Sequence, residues 1–296
     1  MDQIFDENHV RLRSRVRGTY LYADEDGVGV SLSRRRASLN AAWQVHLVQN
    51  FVLFRSAAYG RYLAVSREMA PPGHRGLRVV QRDYDELVLY AVAWRPIGAP
   101  LTVDDEAEAD VVLRYGSTRY LRANGRHRRW HTGVTVDDNG GVRTTMMFWM
   151  VEEIPPRIEP PVLPLPPPPT MTTTPGLMSL LLRRAEPTSE PLRTIRYVRA
   201  NNVGNFNPLG WATFQFYGRS VYLLLCRLAY QLGETISVGG ERGVIGIALC
   251  VQAGNCARLT PLVTDLPWCD DPMNIVVLAT DSYAATQLRH PNVDEP

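Results

Sequence analysis

The chain has 296 residues, 45% hydrophobic and 21% charged, the make-up of a globular protein long enough for two cores. Its formal net charge of +2 gives no whole-chain drive toward nucleic acid or an anionic membrane. No apolar run approaches the roughly 20 residues that span a bilayer, and the opening Met1-Asp2-Gln3-Ile4-Phe5-Asp6 is acidic rather than signal-like, so a cytoplasmic protein is expected.

The first half reads as short alternating strands cut by Gly, Asn, Asp or Pro. Strands are predicted at Val10–Ser14, Thr19–Ala23, Val28–Ser33 and Ala42–Val48. A second set falls at Phe51–Ser56, Arg61–Val65, Leu77–Gln81 and Val88–Arg95, and a third at Asp110–Tyr115, Arg119–Ala123, Thr132–Val136 and Thr145–Val151. One phrase heads each set: Leu12-Arg13-Ser14 before Tyr20-Leu21, Phe54-Arg55-Ser56 before Tyr62-Leu63, and Leu113-Arg114-Tyr115 before Tyr120-Leu121. Trp43, Trp94 and Trp149 lie near the ends of the sets. Repeats of this length imply copies of one supersecondary unit. Four strands in each of three copies is the count of a β-trefoil, whose closure removes exposed sheet edges. Asp26-Gly27, Asn124-Gly125 and Asn139-Gly140 supply hairpin turns. The expected domain covers residues 1–153.

Residues 154–191 change character. Pro155-Pro156, Pro160-Pro161 and Pro166-Pro167-Pro168-Pro169 favour extended polyproline II, read as an interdomain spacer in preference to a PxxP ligand. Residues 192–285 then read as an α+β unit. A hairpin at Thr194–Ala200 and Trp211–Tyr217 precedes a helix capped by Ser220, with Val221, Leu224, Leu225, Leu228 and Leu232 on one face and Gly233 as the stop. Strands follow near Val244–Val251, Arg258–Leu262 and Asn274–Ala279. That order fits a ubiquitin-like β-grasp among other α+β folds, with residues 286–296 as a disordered tail.

The Val10-Arg11-Leu12-Arg13-Ser14 opening, Gly18-x-Tyr20-Leu21-x-Ala23-Asp24, the Trp43 segment and Arg193-Thr194-Ile195-Arg196-Tyr197 resemble plant proteins of the domain-of-unknown-function family 569. The resemblance runs over nearly the whole chain. It implies a fascin-like β-trefoil followed by a small ubiquitin-like domain, and a label of actin cross-linking by similarity. Fascins carry four trefoils, whereas one trefoil has no evident second actin site. The chain contains no lysine, so no lysine-borne contact can transfer. The absence itself reads as compositional bias, which limits what the arginine count can argue.

The motifs point to binding rather than catalysis. No Ser or Cys sits in a nucleophile-elbow context, and Val238-Gly239-Gly240-Glu241-Arg242-Gly243 lacks the lysine of a phosphate loop. Cys250, Cys256 and Cys269 lack the close pairing of a structural zinc site, so no metal or cofactor is expected, and Cys226 with these three reads as reduced. The repeated tyrosines and tryptophans read as core. A ricin-type lectin carries Gln two residues before each tryptophan, where this chain has Ala41, Val92 and Met147. The candidate interaction patch joins Arg34, Arg35 and Arg36 to Arg126, Arg128, Arg129 and Trp130, since arginine forks suit acidic surfaces. The reading is therefore a non-enzymatic protein that binds a protein partner, actin or another acidic surface, through trefoil loops. A non-ricin carbohydrate-binding trefoil is the alternative, and neither specific nucleic acid nor membrane is expected.

Overall fold

The structure is a computed structural model that describes residues 4–98, 110–127, 130–138, 140, 142–166, 190–234, 236–237 and 244–295. The expected Asn139 turn position, the proline run after Pro166 and the turn at residues 238–243 lie outside the described residues. The chain divides into two compact units: residues 1–161, 250–261 and 287–296, and residues 162–249 and 262–286.

In the first unit the strands are β1 (His9–Ser14), β2 (Tyr20–Ala23), β3 (Val30–Ser33) and β4 (Trp43–Val48), then β5 (Phe51–Ser56), β6 (Tyr62–Met69) and β7 (Leu77–Arg82). After helix α1 (Leu89–Val92) come β8 (Arg95–Gly98), β9 (Val111–Tyr115), β10 (Arg119–His127), β11 (Trp130–Asp137) and β12 (Phe148–Ile154). These twelve form one sheet, and the additional pairings β1–β4 and β10–β11 close its path. The repeated phrase is a repeated register: Arg13 pairs with Tyr20, Arg55 with Tyr62 and Arg114 with Tyr120. Alternation then sends the neighbouring Leu12, Phe54 and Leu113 inward, to a core with Leu21, Leu63, Leu121 and the fully buried Trp43, Trp94 and Trp149.

One predicted strand is replaced. Residues 88–92 form a turn and α1 rather than the start of a strand, and β8 begins at Arg95. Val88 and Val92 are four apart, the spacing of one helix face, and both pack with Leu89 against Leu53 and Tyr62. Trp94 still bridges Val52, so the register of the repeat survives the substitution of element type.

Two further segments belong to this unit. In residues 250–261, Tyr84 N–H donates to the Ala253 carbonyl at 2.7 Å and Cys256 N–H donates to the Tyr84 carbonyl at 3.1 Å. Residues 287–295 differ from the expected disordered tail: Pro291 bridges Pro156, and Asn292 N–H donates to the Pro155 carbonyl at 2.8 Å. Pro155 and Pro156 are thus part of a packed segment.

The second unit opens with β13 (Leu192–Arg199) antiparallel to β14 (Ala212–Tyr217). Helix α2 (Val221–Gln231) follows, its first turn capped by Ser220 Oγ accepting from Leu223 N–H at 3.3 Å, its end set by Gly233 at φ +69°. Short strands β15 (Ile236–Ser237) and β16 (Val244–Ile245) pair with each other. β17 (Ile247–Val251) leads into residues 250–261, where β18 (Thr260–Pro261) returns. β19 (Met273–Ala279) pairs parallel with β13, and α3 (Tyr283–Thr286) ends the unit. Leu224, Leu228 and Val221 of α2 are fully buried, as are Ile195, Ile275 and Val277.

Candidate functional site

Three basic segments of the first unit meet at one end of its sheet. The β1–β2 turn is a tight loop in which Gly18 N–H donates to the Ser14 carbonyl at 2.8 Å, and its left-handed φ of +61° suits glycine. The turn exposes Arg15, Val16 and Arg17. Tyr20 pairs with Ser33, so the chain leaving β3 at Arg34 runs beside this turn. On the other side of β3, Ser31 pairs with Gly133, so the β10–β11 hairpin projects the same way. Arg17 Nη2 ties the groups together by donating to the Asn124 carbonyl at 3.0 Å.

The residues of the expected patch have different fates. Arg34 is exposed and has no ion pair among the described residues. Arg35 is exposed and meets Glu25 at 3.4 Å, a surface pair that leaves it free to exchange partners. Arg36 is half-buried and already engaged, 3.4 Å from Glu152 and donating to the Glu295 carbonyl at 2.6 Å. Arg126 lies in β10 and Trp130 opens β11 opposite His127, while Arg128 and Arg129 lie outside the described residues. Arg17 is the member that sequence reading missed. Its only signal is a second arginine in an exposed glycine turn, and its partner is 107 positions away.

A second polar group is buried instead. Arg55 is almost wholly enclosed, donating to Gln44 Oε1 and to the Leu259 carbonyl at 2.9 Å. His46 Nδ1 lies 2.9 Å from Tyr62 Oη, which also accepts from Arg258 N–H at 3.3 Å. Burial, with the nearby Arg258 and Arg55, pushes the His46 imidazole down to about 4. Arg258 in turn grips both Asp6 oxygens at 2.9 Å. Next to this grip a cleft of about 120 Å³ is lined by Asp6, Glu7, Asn8, His9, Glu153 and Arg289 among others. That is well below the roughly 300–1,000 Å³ of a small-molecule site. Burial pushes the Cys250 thiol up to about 12, the opposite of an activated nucleophile.

A family model described as a β-trefoil domain of unknown function, DUF569, matches residues 1–151. The chain belongs to the DUF569 family. A second model, the DUF569-associated ubiquitin-like domain, matches residues 191–278, which fits the helix and the parallel β13–β19 pair. Among curated proteins, none matches this DUF569 chain. Many solved structures are similar to it, among them the following three. An SDF2-like protein from Arabidopsis thaliana is 13% identical with a TM-score of 0.42, over 50% of this chain and 94% of that one. A ricin B-like lectin from Macrolepiota procera, in complex with lactose, is 16% identical with a TM-score of 0.40, over 51% and 98%. An agglutinin from Rhizoctonia solani is 15% identical with a TM-score of 0.38, over 50% and 96%. In this DUF569 trefoil Ala41, Val92 and Met147, which stand two residues before the tryptophans, are fully buried.

Proposed function

We propose that this protein is a non-enzymatic binding protein, and that its trefoil recognises an acidic protein surface through the loops bearing Arg17, Arg34 and Arg35. The contact between Arg17 and Asn124 carries the reading, because it gathers basic segments distant in sequence at one end of the sheet. Exposed guanidinium groups suit carboxylates and lose little in desolvation. The four free cysteines support a reducing compartment, and the cytoplasm is the proposed location.

Actin filaments are the first partner to test. Purified protein should pellet with filaments at low salt and be released as salt rises past about 0.3 M, where screening shortens to a few ångström. The double variant Arg17→Glu/Arg34→Glu should stay in the supernatant. Absence of low-salt pelleting would remove actin as the partner. Pelleting undiminished in the double variant would remove these loops as the surface.

A further inference from the structure

Residues 287–295 form a strap that arginines hold onto the first unit. Arg11 Nη2 donates to the Val293 carbonyl at 2.8 Å and Arg36 Nη1 to the Glu295 carbonyl at 2.6 Å. Arg157 Nη2 donates to Asn292 Oδ1 at 3.2 Å and to Asp294 Oδ2 at 2.5 Å. Two main-chain bonds join them, from Arg157 N–H to the His290 carbonyl at 2.7 Å and from Asn292 N–H to the Pro155 carbonyl at 2.8 Å. The strap adds one apolar side chain to the packing, Val293 against Ala42, Ala57 and Ile154. A segment held by polar contacts with so little apolar cover opens at a lower free energy than the core beneath it.

Two histidines are enclosed where the strap meets the sheet. Val10 and Leu12 of β1 point into the core, so His9 and Arg11 face outward. His9 is only 5% exposed and makes no hydrogen bond or ion pair among the described residues. His290, in the strap itself, is buried with its Nδ1 left without a partner.

The charges around this pair are mostly positive. Arg55 of β5 and Arg289 and His290 of the strap act on His9, and Arg157 acts on His290. Asp6, Glu7 and Glu153 share the cleft that His9 lines, but all three are engaged elsewhere. Arg258 grips Asp6 and approaches Glu7 at 3.6 Å, and Glu153 accepts from Asn8 Nδ2 at 2.7 Å. A proton on either imidazole therefore adds a buried cation beside guanidinium groups, with no acceptor placed to receive it. Lifting the strap returns both rings to water and removes that cost.

We propose that residues 287–295 are an acid-released strap: protonation of His9 and His290 lifts this segment from the sheet while the trefoil core stays folded. Burial and the neighbouring cations hold His9 down at about 3 and lower His290 while the strap is seated, whereas in water both return toward 6.5. Seating is therefore full above pH 6.5 and is lost as pH falls through that value toward 3. At pH 5 the proton on His9 alone shifts the balance about 30-fold toward the lifted state. Lifting frees Arg157 Nη2, Arg11 Nη2 and Arg36 Nη1. The device does not depend on what the Arg17 and Arg34 loops bind.

The test is hydrogen–deuterium exchange of the full-length protein between pH 7.5 and pH 5, above the ordinary carboxylate range, with rates corrected for the intrinsic effect of pH. Protection of the Arg157 and Asn292 amides, which bond across the strap, should fall about 30-fold or more. The strands around Trp43 and Trp149 should keep theirs. In His290→Gln the fall should shrink, and in His9→Gln/His290→Gln it should vanish, whatever protection each variant starts from. His290→Gln alone reads the outcome if the double variant does not fold, since residue 290 lies outside the sheet. Protection that holds from pH 7.5 to pH 5, a loss shared equally by the core strands, or an undiminished fall in the histidine variants would each overturn the proposal.

Discussion

The indole Nε1–H of Trp43 donates to the main-chain carbonyl of Leu21 at 3.1 Å. Trp94 makes the same bond to Leu63 at 2.9 Å, and Trp149 to Leu121 at 3.1 Å. Each tryptophan thus closes its copy onto the leucine of that copy's Tyr-Leu pair. The bond is buried, so its donor and acceptor are satisfied inside the core.

Replacing Trp43, Trp94 or Trp149 by Phe removes the donor and part of the ring at once. Each variant should lose about 2–4 kcal/mol, the sum of an orphaned buried carbonyl and an unfilled space. Urea unfolding followed by circular dichroism measures this. The threefold repeat requires similar losses at all three positions, and a variant as stable as the parent would remove the indole bonds from the account of the core.

Two glycines separate conformational strain from collision. Gly76 and Gly116 both have left-handed backbones, at φ +86° and +61°. A Cβ on Gly76 would lie 2.1 Å from the Val136 carbonyl oxygen, main chain that cannot step aside, whereas one on Gly116 would meet nothing within 4 Å. Gly116→Ala should therefore cost only the left-handed penalty, about 1–2 kcal/mol. Gly76→Ala should cost several kcal/mol or prevent folding. Thermal melts of the pair decide it, and equal losses would contradict the packing of β11 on the β6–β7 hairpin.

Acid should weaken the first unit. Burial lowers the imidazole of His9 to about 3 and that of His46 to about 4, and lowers His290 as well. In the unfolded chain these histidines take up protons near pH 6.5, which the folded state refuses, so stability is full above pH 6.5 and falls as pH drops toward 4 and 3. Asp24 acts the other way: burial, despite its hydrogen bond from Ser31, raises it to about 6, so its contribution grows as pH falls from 6 toward 3.8. Three histidines outweigh one aspartate. The Tm should drop by at least about 5 °C between pH 7 and 4.5, and His46→Asn should flatten part of that fall. A Tm that holds constant across this range would exclude buried neutral histidines.

The parts of the fold that sequence made visible are those encoded by local period. Leu12, Phe54 and Leu113 alternate with Arg13, Arg55 and Arg114, and that alternation alone gives strands and their buried side. The helix capped by Ser220 and stopped by Gly233 was visible for the same reason. What stayed hidden depends on partners far along the chain. Residues 88–92 turn helical because Leu53 and Tyr62 offer a surface to bury Val88 and Val92. Residues 250–261 and 287–295 join the first unit through main-chain bonds to Tyr84 and Pro155 and through the Arg11 guanidinium on the Val293 carbonyl, which no local pattern announces. Of the candidate site, charge marked Arg34 and Arg35, but only the fold shows that Arg36 is committed and that Arg17 belongs beside Asn124.

That division of the Arg34–Arg36 run can be tested directly. Arg36 bridges Glu152, donates to the Glu295 carbonyl, and through its own carbonyl accepts from Arg11 Nε at 3.2 Å. Arg36→Ala leaves Glu152 with the 3.8 Å approach of Arg13 and the Tyr20 hydroxyl at 3.4 Å, and removes the bond to the Glu295 carbonyl. It should cost about 1–2 kcal/mol, the worth of charge-assisted bonds at a partly buried site. Arg34→Ala breaks no such contact and should stay within about 0.5 kcal/mol of the parent, as an exposed surface substitution does. For binding the order should reverse, with Arg34→Ala losing affinity for filaments and Arg36→Ala losing it only where the fold is lost. Chemical denaturation beside co-sedimentation of both variants reads both quantities, and an Arg34→Ala variant that binds like the parent while Arg36→Ala does not would move the recognition surface onto Arg36 and Glu152.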